Sequence, residues 1–272
     1  MQVLTFLNQK GGVGKTSCCF HLAGTLARGG RRVLLVDNDP QASLTQGFVG
    51  PSSALAIPSS SSVAAVYEPG ADPLPEALVA PTGFPGVWIV PGSIHLTRFN
   101  KLPDDAWPDS QDGLRSFLRA VDNEFDLALI DCPPNLHLCS WAALVASDHI
   151  VVPLQPEDFG SQGLAPVQES VEAVQGGPNP GLRLAGYLLT MFDRRLTVHL
   201  TYEAMLREMY GPAVFAAVFP RAKDYVEAVA ARRPVGHYKP RAAAALAVAA
   251  VADELLRRVG LAADGGRERG AA

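Results

Sequence analysis

Cysteine is scarce in this chain and poorly placed for chemistry. The 272 residues include four cysteines, at positions 18, 19, 132 and 139. No C-x-x-C pair occurs, and none of the six histidines stands at metal-ligand spacing. A zinc site and a disulfide framework are therefore excluded, and reduced, buried thiols of a cytoplasmic protein are expected. Charge is also low: 18% of residues are charged and the net charge is −4. Any nucleic-acid contact must then come from a local patch, not from the overall field. No apolar run approaches the ~20 residues a membrane span needs. The amino terminus runs straight into a strand pattern, so no signal peptide is expected. A hydrophobic content of 48% excludes a disordered chain, and the length suits one α/β domain with an ample core.

The most informative absence is a single glycine. The phosphate-binding pattern G-x-x-x-x-G-K-[ST] fails at its first position, where Gln9 stands, and a second lysine, Lys10, follows. The rest is intact: Gly11, Gly12, Val13, Gly14, Lys15, Thr16 and Ser17, directly after the apolar run Val3–Leu7. Glycines let the backbone approach an anion closely. A helix opening at Thr16 aims free amides and the positive end of its dipole at phosphates. Lys15 is placed to reach the β- and γ-phosphates of ATP, and the Thr16 hydroxyl to ligate Mg²⁺. Lys10 has no role in an ordinary loop of this kind.

Downstream residues extend the pattern. Cys19, Leu22, Ala23, Leu26 and Ala27 recur at helical spacing, with Gly29-Gly30 as the stop. Val33–Val36 is a fully apolar strand that ends in Asp37-Asn38-Asp39-Pro40-Gln41, and acids at the carboxyl end of a parallel strand overlie the ligand crevice of an open sheet. Phe125–Ile130 is a third such strand, ending in Asp131, which fits a Mg²⁺-holding carboxylate. Further strands are expected at 87–90, 150–152, 184–190 and 214–219. Helices are expected at 114–121, 163–175, 200–210 and 241–259. The alternation implies an α/β fold, a mostly parallel twisted sheet with helices on both faces. The serine- and proline-rich stretch 51–62 reads as a mobile surface loop.

Lys10–Thr16, Asp37-x-Asp39-Pro40-Gln41-Ala42-Ser43 and Asp131-Cys132-Pro133-Pro134 together resemble the ParA/Soj group of deviant-Walker P-loop ATPases. Weaker likenesses continue at Val152–Glu157 with Gly163-Leu164, at Leu188–Arg195, and at Val218–Arg221 with Glu227-Ala228. The resemblance covers about residues 1 to 258. It implies one ATPase domain over 1–259, and 260–272 is expected to be a disordered tail. It further implies an ATP- and Mg²⁺-dependent switch that forms a nucleotide-sandwich homodimer. In that scheme Lys10 is the signature lysine, reaching the partner's bound phosphates. Asp39 is the switch aspartate that orients the attacking water, and Thr16, Asp39 and Asp131 surround the metal. Pro220 and Ala222 match a stretch whose backbone contacts adenine. The dimer binds DNA non-specifically, a ParB-like or cargo adaptor protein stimulates hydrolysis, and the cycle partitions a chromosome, plasmid or cargo. The amino-terminal operator-reading domain of longer relatives is not expected here.

Arg221, Lys223, Lys239 and Arg241 lie where the family places its basic DNA surface, and Arg194-Arg195 and Arg232-Arg233 are further basic pairs. The family's Y-D-P-[KR]-S-[KR]-G segment reads Tyr238-Lys239-Pro240-Arg241-Ala242-Ala243-Ala244 here, with one charge inverted and one basic residue missing. The usual leucine-serine before Glu227-Ala228 is Tyr225-Val226. Three alternatives stay open. One is a MinD-like positioning ATPase acting on a membrane or a protein assembly without DNA, although only Leu261 offers a bulky apolar side chain in the tail. Another is a small-molecule kinase or synthetase on the same fold. The last is an iron-protein relative using Cys139, which would need an upstream cysteine between 40 and 131 that the chain lacks.

Overall fold

The apolar runs at the chain's regular intervals become neighbours in one sheet. The computed structural model describes residues 1–70, 72–101, 110–156 and 164–262. Its strands are β1 (Gln2–Phe6), β2 (Val33–Asp37), β3 (Ala80–Pro81), β4 (Val87–Val90), β5 (Leu127–Asp131), β6 (His149–Leu154) and β7 (Arg183–Leu189). They form a seven-stranded sheet in the order β3-β4-β2-β5-β1-β6-β7. All pairings are parallel except that of the two-residue β3 with β4. The helices are α1 (Lys15–Arg28), α2 (Ser43–Val49), α3 (Pro51–Leu55), α4 (Pro75–Leu78), α5 (Gly113–Ala120), α6 (Leu138–Ala146), α7 (Ala165–Gln175), α8 (Thr197–Tyr210), α9 (Lys223–Ala230), α10 (Val235–Tyr238) and α11 (Ala243–Arg258).

Alternation along the strands divides the interior in two. Val3, Leu34, Val36, Ala128 and Ile130 face a core shared with α5, α6 and α7. Leu4, Phe6, Leu35, Leu127 and Leu129 face a second core shared with α1, α2, α9 and α11. A sheet covered on both faces carries strands that are apolar throughout, which is why β2 and β5 read as unbroken hydrophobic runs. The P-loop strand β1 lies between β5 and β6, so the loops after β1, β2 and β5 emerge side by side at one end of the sheet.

Two expectations fail here. No strand forms over 214–219, where only single bridges join Tyr187 to Val214 and Phe192 to Pro220. The carboxylate of Glu254, on α11, accepts the amides of Ala216 (3.0 Å) and Ala217 (2.8 Å), withdrawing two consecutive donors from the ladder. The stretch 51–62 is not a loop throughout. Pro51 opens α3 at its first turn, where a missing amide costs nothing, and Ser59–Ser61 form a 3₁₀ turn. Ser62 has no exposed surface, and the Val63 amide bonds Pro91 O. The tail beyond 262, and the segment 157–163 that holds Glu157 and Gly163, lie outside the described residues.

A buried histidine couples folding to pH. His21 of α1 is fully buried, its Nδ1 accepts the Val235 amide (3.1 Å), and its ring packs on Phe20 and Tyr225. Burial lowers its pKa to about 3, against ~6.5 in an unfolded chain. Between those values only the unfolded state takes up the proton, so this group costs stability as pH falls below ~6.5. The expected loss between pH 7 and pH 5 is about 2 kcal/mol. Urea unfolding at both pH values checks it, and His21→Gln is expected to shrink the difference.

Candidate active site

The turn from β1 into α1 builds an anion cradle. Gly12 and Gly14 adopt φ of 78° and 86°, a left-handed geometry that side chains disfavour. No side chain caps the amino terminus of α1, so its first-turn amides are left for an external acceptor. Two residues brace the loop from outside. Asn8 is buried; its Nδ2 donates to Pro153 O (2.8 Å) and its Oδ1 accepts the Lys10 amide (2.9 Å). Thr190, just past β7, directs its hydroxyl at Val13 O (2.8 Å) and Leu154 O (3.1 Å). Sequence reasoning missed both. The one signal available was a polar Asn directly after an apolar strand.

The two lysines of the loop part company. Lys15 is 6% exposed, and its ammonium donates to Asn8 O (3.0 Å) and Lys10 O (3.1 Å). Lys10, by contrast, has its side chain on the exposed surface. Burial pushes the Lys15 pKa below the ordinary lysine range, opposed by the nearby Asp131 and Asp39 carboxylates.

Two carboxylates, Asp131 and Asp39, act on Lys15, and a third, Asp37, stands beside them. Asp37 and Asp131 are register partners at the ends of β2 and β5, and neither has exposed surface. Asp37 Oδ2 accepts both the Thr45 amide (2.7 Å) and the Thr45 hydroxyl (2.6 Å). Burial is the main reason its pKa rises to about 7. Burial, then repulsion from Asp37, drives Asp131 far above the usual carboxylate range. The Thr16 hydroxyl approaches Asp131 and favours its ionised form, yet no donor meets either Asp131 oxygen in normal hydrogen-bond geometry. Asp39 is partly buried, and its pKa is raised by that burial against the pull of the Gln41 amide and Lys15. Its Oδ1 accepts the Gln41 amide (2.9 Å). A buried carboxylate with two unsatisfied oxygens is costly, and a divalent cation would remove that cost. The fit to Mg²⁺ is good, since this ion takes few protein ligands and keeps water and phosphate oxygens. Asp37, which the sequence reading left without a role, instead anchors α2 beneath the turn that bears Asp39.

The remaining predicted residues are held by contacts of their own. The Pro220–Ala222 segment hangs on Phe192, whose amide bonds Phe219 O (3.1 Å) and whose carbonyl accepts the Arg221 amide (2.9 Å). Arg221 and Arg241 are exposed. Lys223 lies 3.7 Å from Glu227, and Lys239 is bonded to Asp224 (2.8 Å) and Glu227 (2.5 Å). The charge of Lys239 is thus largely met within the chain. Arg195 is likewise paired with Asp193. All four cysteines are buried and unpaired with one another, and burial raises each thiol pKa, which keeps them protonated and inert at neutral pH.

A sequence family described as an AAA domain matches residues 1–184. The chromosome-partitioning ATPase Soj of Thermus thermophilus is 36% identical over 256 residues, covering 94% of this chain and 96% of that protein. The chromosome partitioning protein ParA of Caulobacter vibrioides is 34% identical over 263 residues, 95% of each. Among solved structures, cobyrinic acid a,c-diamide synthase from Mycobacterium smegmatis, with a bound ATP analogue and magnesium, superposes with a TM-score of 0.77 at 30% identity over 96% of each chain.

Proposed function

The chain belongs to the ParA/Soj family of chromosome-partitioning ATPases, and from that premise we propose that it is an ATP-driven dimerisation switch that holds DNA and releases it on hydrolysis. The observation that supports this most is the division of labour between the lysines: Lys15 lies beneath the loop beside Asp39 and Asp131, while Lys10 faces outward from the same loop.

Nucleotide binding uses the cradle of Gly11, Gly12, Val13, Gly14, Thr16 and Ser17. Lys15 exchanges two neutral carbonyls, those of Asn8 and Lys10, for the β- and γ-phosphates, a stronger charge-assisted contact. Thr16 and Asp131, with Asp39 nearby, are the residues that would hold Mg²⁺, which neutralises charge developing on the phosphoryl group. Asp39 orients the attacking water. Pro220 and Ala222 offer backbone to the adenine. Lys10 reaches the phosphates of a second copy, so that pairing and nucleotide occupancy depend on each other. A ParB-like or cargo adaptor stimulates turnover, and the complex resides on the nucleoid in the cytoplasm. No helix among the described residues is long and apolar enough to cross a membrane.

DNA contact falls to Arg221, Lys223 and Arg241, with Lys239 weakened by its two carboxylate partners. Filter retention of random duplex DNA tests this reading. Retention is expected to need ATP and Mg²⁺, to vanish in Lys15→Ala, and to weaken on the order of a thousandfold between 50 and 200 mM salt, about what six phosphate contacts per dimer entail. Arg221→Glu with Arg241→Glu should abolish it. Absence of ATP-dependent retention at low salt would favour a positioning ATPase that works without DNA. The resemblance to a diamide synthase supports a second reading, ATP-driven synthesis on a small carboxylate. An ATPase rate that rises only when a metabolite acceptor is added would identify it.

A further inference from the structure

Opposite the carboxylates, on the other face of the sheet, lies a polar bracket with no role in the scheme above. Asn38 follows Asp37 and precedes Asp39, yet its side chain enters the core that contains Tyr67 and Cys139. It has no exposed surface. Its Nδ2 donates to Cys139 O (2.8 Å), its Oδ1 accepts the Tyr67 hydroxyl (2.9 Å), and its amide donates to Asp131 O (2.9 Å). Tyr67 is itself 1% exposed and packs against Phe99.

This is an unusual choice for a core position. The preceding residues of β2 on the same face are Leu34 and Val36, and an apolar residue at 38 would avoid desolvating an amide. The amide is tolerated because both its ends are satisfied, with a carbonyl taking the N–H and a hydroxyl giving to the oxygen. What the polar residue adds is connection. Its backbone amide, like that of any residue here, ties the segment bearing Asp39 to the Asp131 carbonyl; its side chain adds a tie to the first turn of α6, which continues the loop after Asp131, and is itself held by Tyr67.

We propose that Asn38, braced by Tyr67, is a positioning residue for ATP hydrolysis: it sets the spacing of the Asp39 and Asp131 loops without touching the nucleotide. This rests on reading Asp39 as the water-orienting carboxylate. A small shift between those loops misplaces the water while leaving the phosphate cradle, which hangs on Asn8 and Thr190, in place.

The test is steady-state ATP turnover, with the affinity for a fluorescent ATP analogue measured in parallel, for Asn38→Leu, Tyr67→Phe, the double variant and Asp39→Ala. Asn38→Leu is expected to lower kcat by roughly 10- to 100-fold with nucleotide affinity within about twofold of wild type. Tyr67→Phe should lose less, and the double variant no more than Asn38→Leu, since both changes break one link. A folded Asn38→Leu with wild-type kcat, or with kcat and affinity falling together, overturns the proposal. If Asn38→Leu does not fold, Tyr67→Phe decides: unchanged kcat overturns the proposal, and reduced kcat at wild-type affinity upholds it. Normal turnover in Asp39→Ala would remove the underlying reading of Asp39 instead, an outcome separable from failure at Asn38 alone.

Discussion

Asp39→Ala is expected to bind ATP, dimerise and then stop. Among the described residues the Asp39 side chain is hydrogen-bonded only within its own turn, where Oδ1 accepts the Gln41 amide, so the substitution should leave the cradle standing. It also removes one of three crowded carboxylates: Asp39 acts repulsively on both Asp37 and Asp131. Affinity for a polyanionic nucleotide should therefore hold or improve. Catalysis should not survive. A positioned group that orients or deprotonates the nucleophile accounts for about 10²–10⁴ in rate, so turnover should fall by that factor while the ATP-bound dimer accumulates. Turnover assays and light scattering on the same sample read both effects. Unchanged turnover would remove Asp39 from the mechanism.

Lys10→Ala is expected to fail differently, by keeping the nucleotide and losing the partner. In the proposed dimer this lysine meets the other subunit's triphosphate in a site closed to water, where deleting one member of a charge pair costs about 2–5 kcal/mol. Twofold symmetry applies that loss twice, so ATP-driven dimerisation should weaken by well over about a hundredfold. Nucleotide binding to the monomer should persist, because Lys15, Thr16 and the loop amides are untouched. Lys15→Ala should instead lose nucleotide and dimer together. Equilibrium binding of a fluorescent ATP analogue, set beside light scattering, separates the two phenotypes. Equal nucleotide loss in both variants would mean that Lys10 serves its own subunit's pocket.

The features readable from the residues alone were those written locally. The apolar runs of β1, β2 and β5, the glycines before α1 and the acids that end β2 and β5 are each short patterns of a few adjacent residues, and their order along the chain carries the fold. The braces of the site are long-range. Asn8 depends on Pro153, Thr190 on Val13, and Asn38 on Tyr67 and Cys139, pairings no local pattern encodes. The strand expected at 214–219 failed for the same reason, since Glu254 takes its amides from a helix far along the chain. Basic residues were grouped by their place in motifs, which could not show that Lys239 answers to Asp224 and Glu227. The serine-rich stretch misled because composition suggested mobility, while Pro51 at a helix start and the burial of Ser62 order it.

Donation of Lys10 across a dimer is tested most directly by mixing two inactive proteins. Lys10→Ala lacks the donated cation and Asp39→Ala lacks the carboxylate that orients water, so each alone should hydrolyse almost no ATP. In a mixed dimer, the Lys10→Ala subunit keeps its own Asp39 and receives an intact Lys10 from its mate, giving one complete site of two. An equimolar mixture with Mg²⁺ and ATP should recover activity up to about a quarter of wild type, from half the dimers with half their sites working. No recovery, with mixed dimers present, would place Lys10 in its own subunit's pocket and contradict the account.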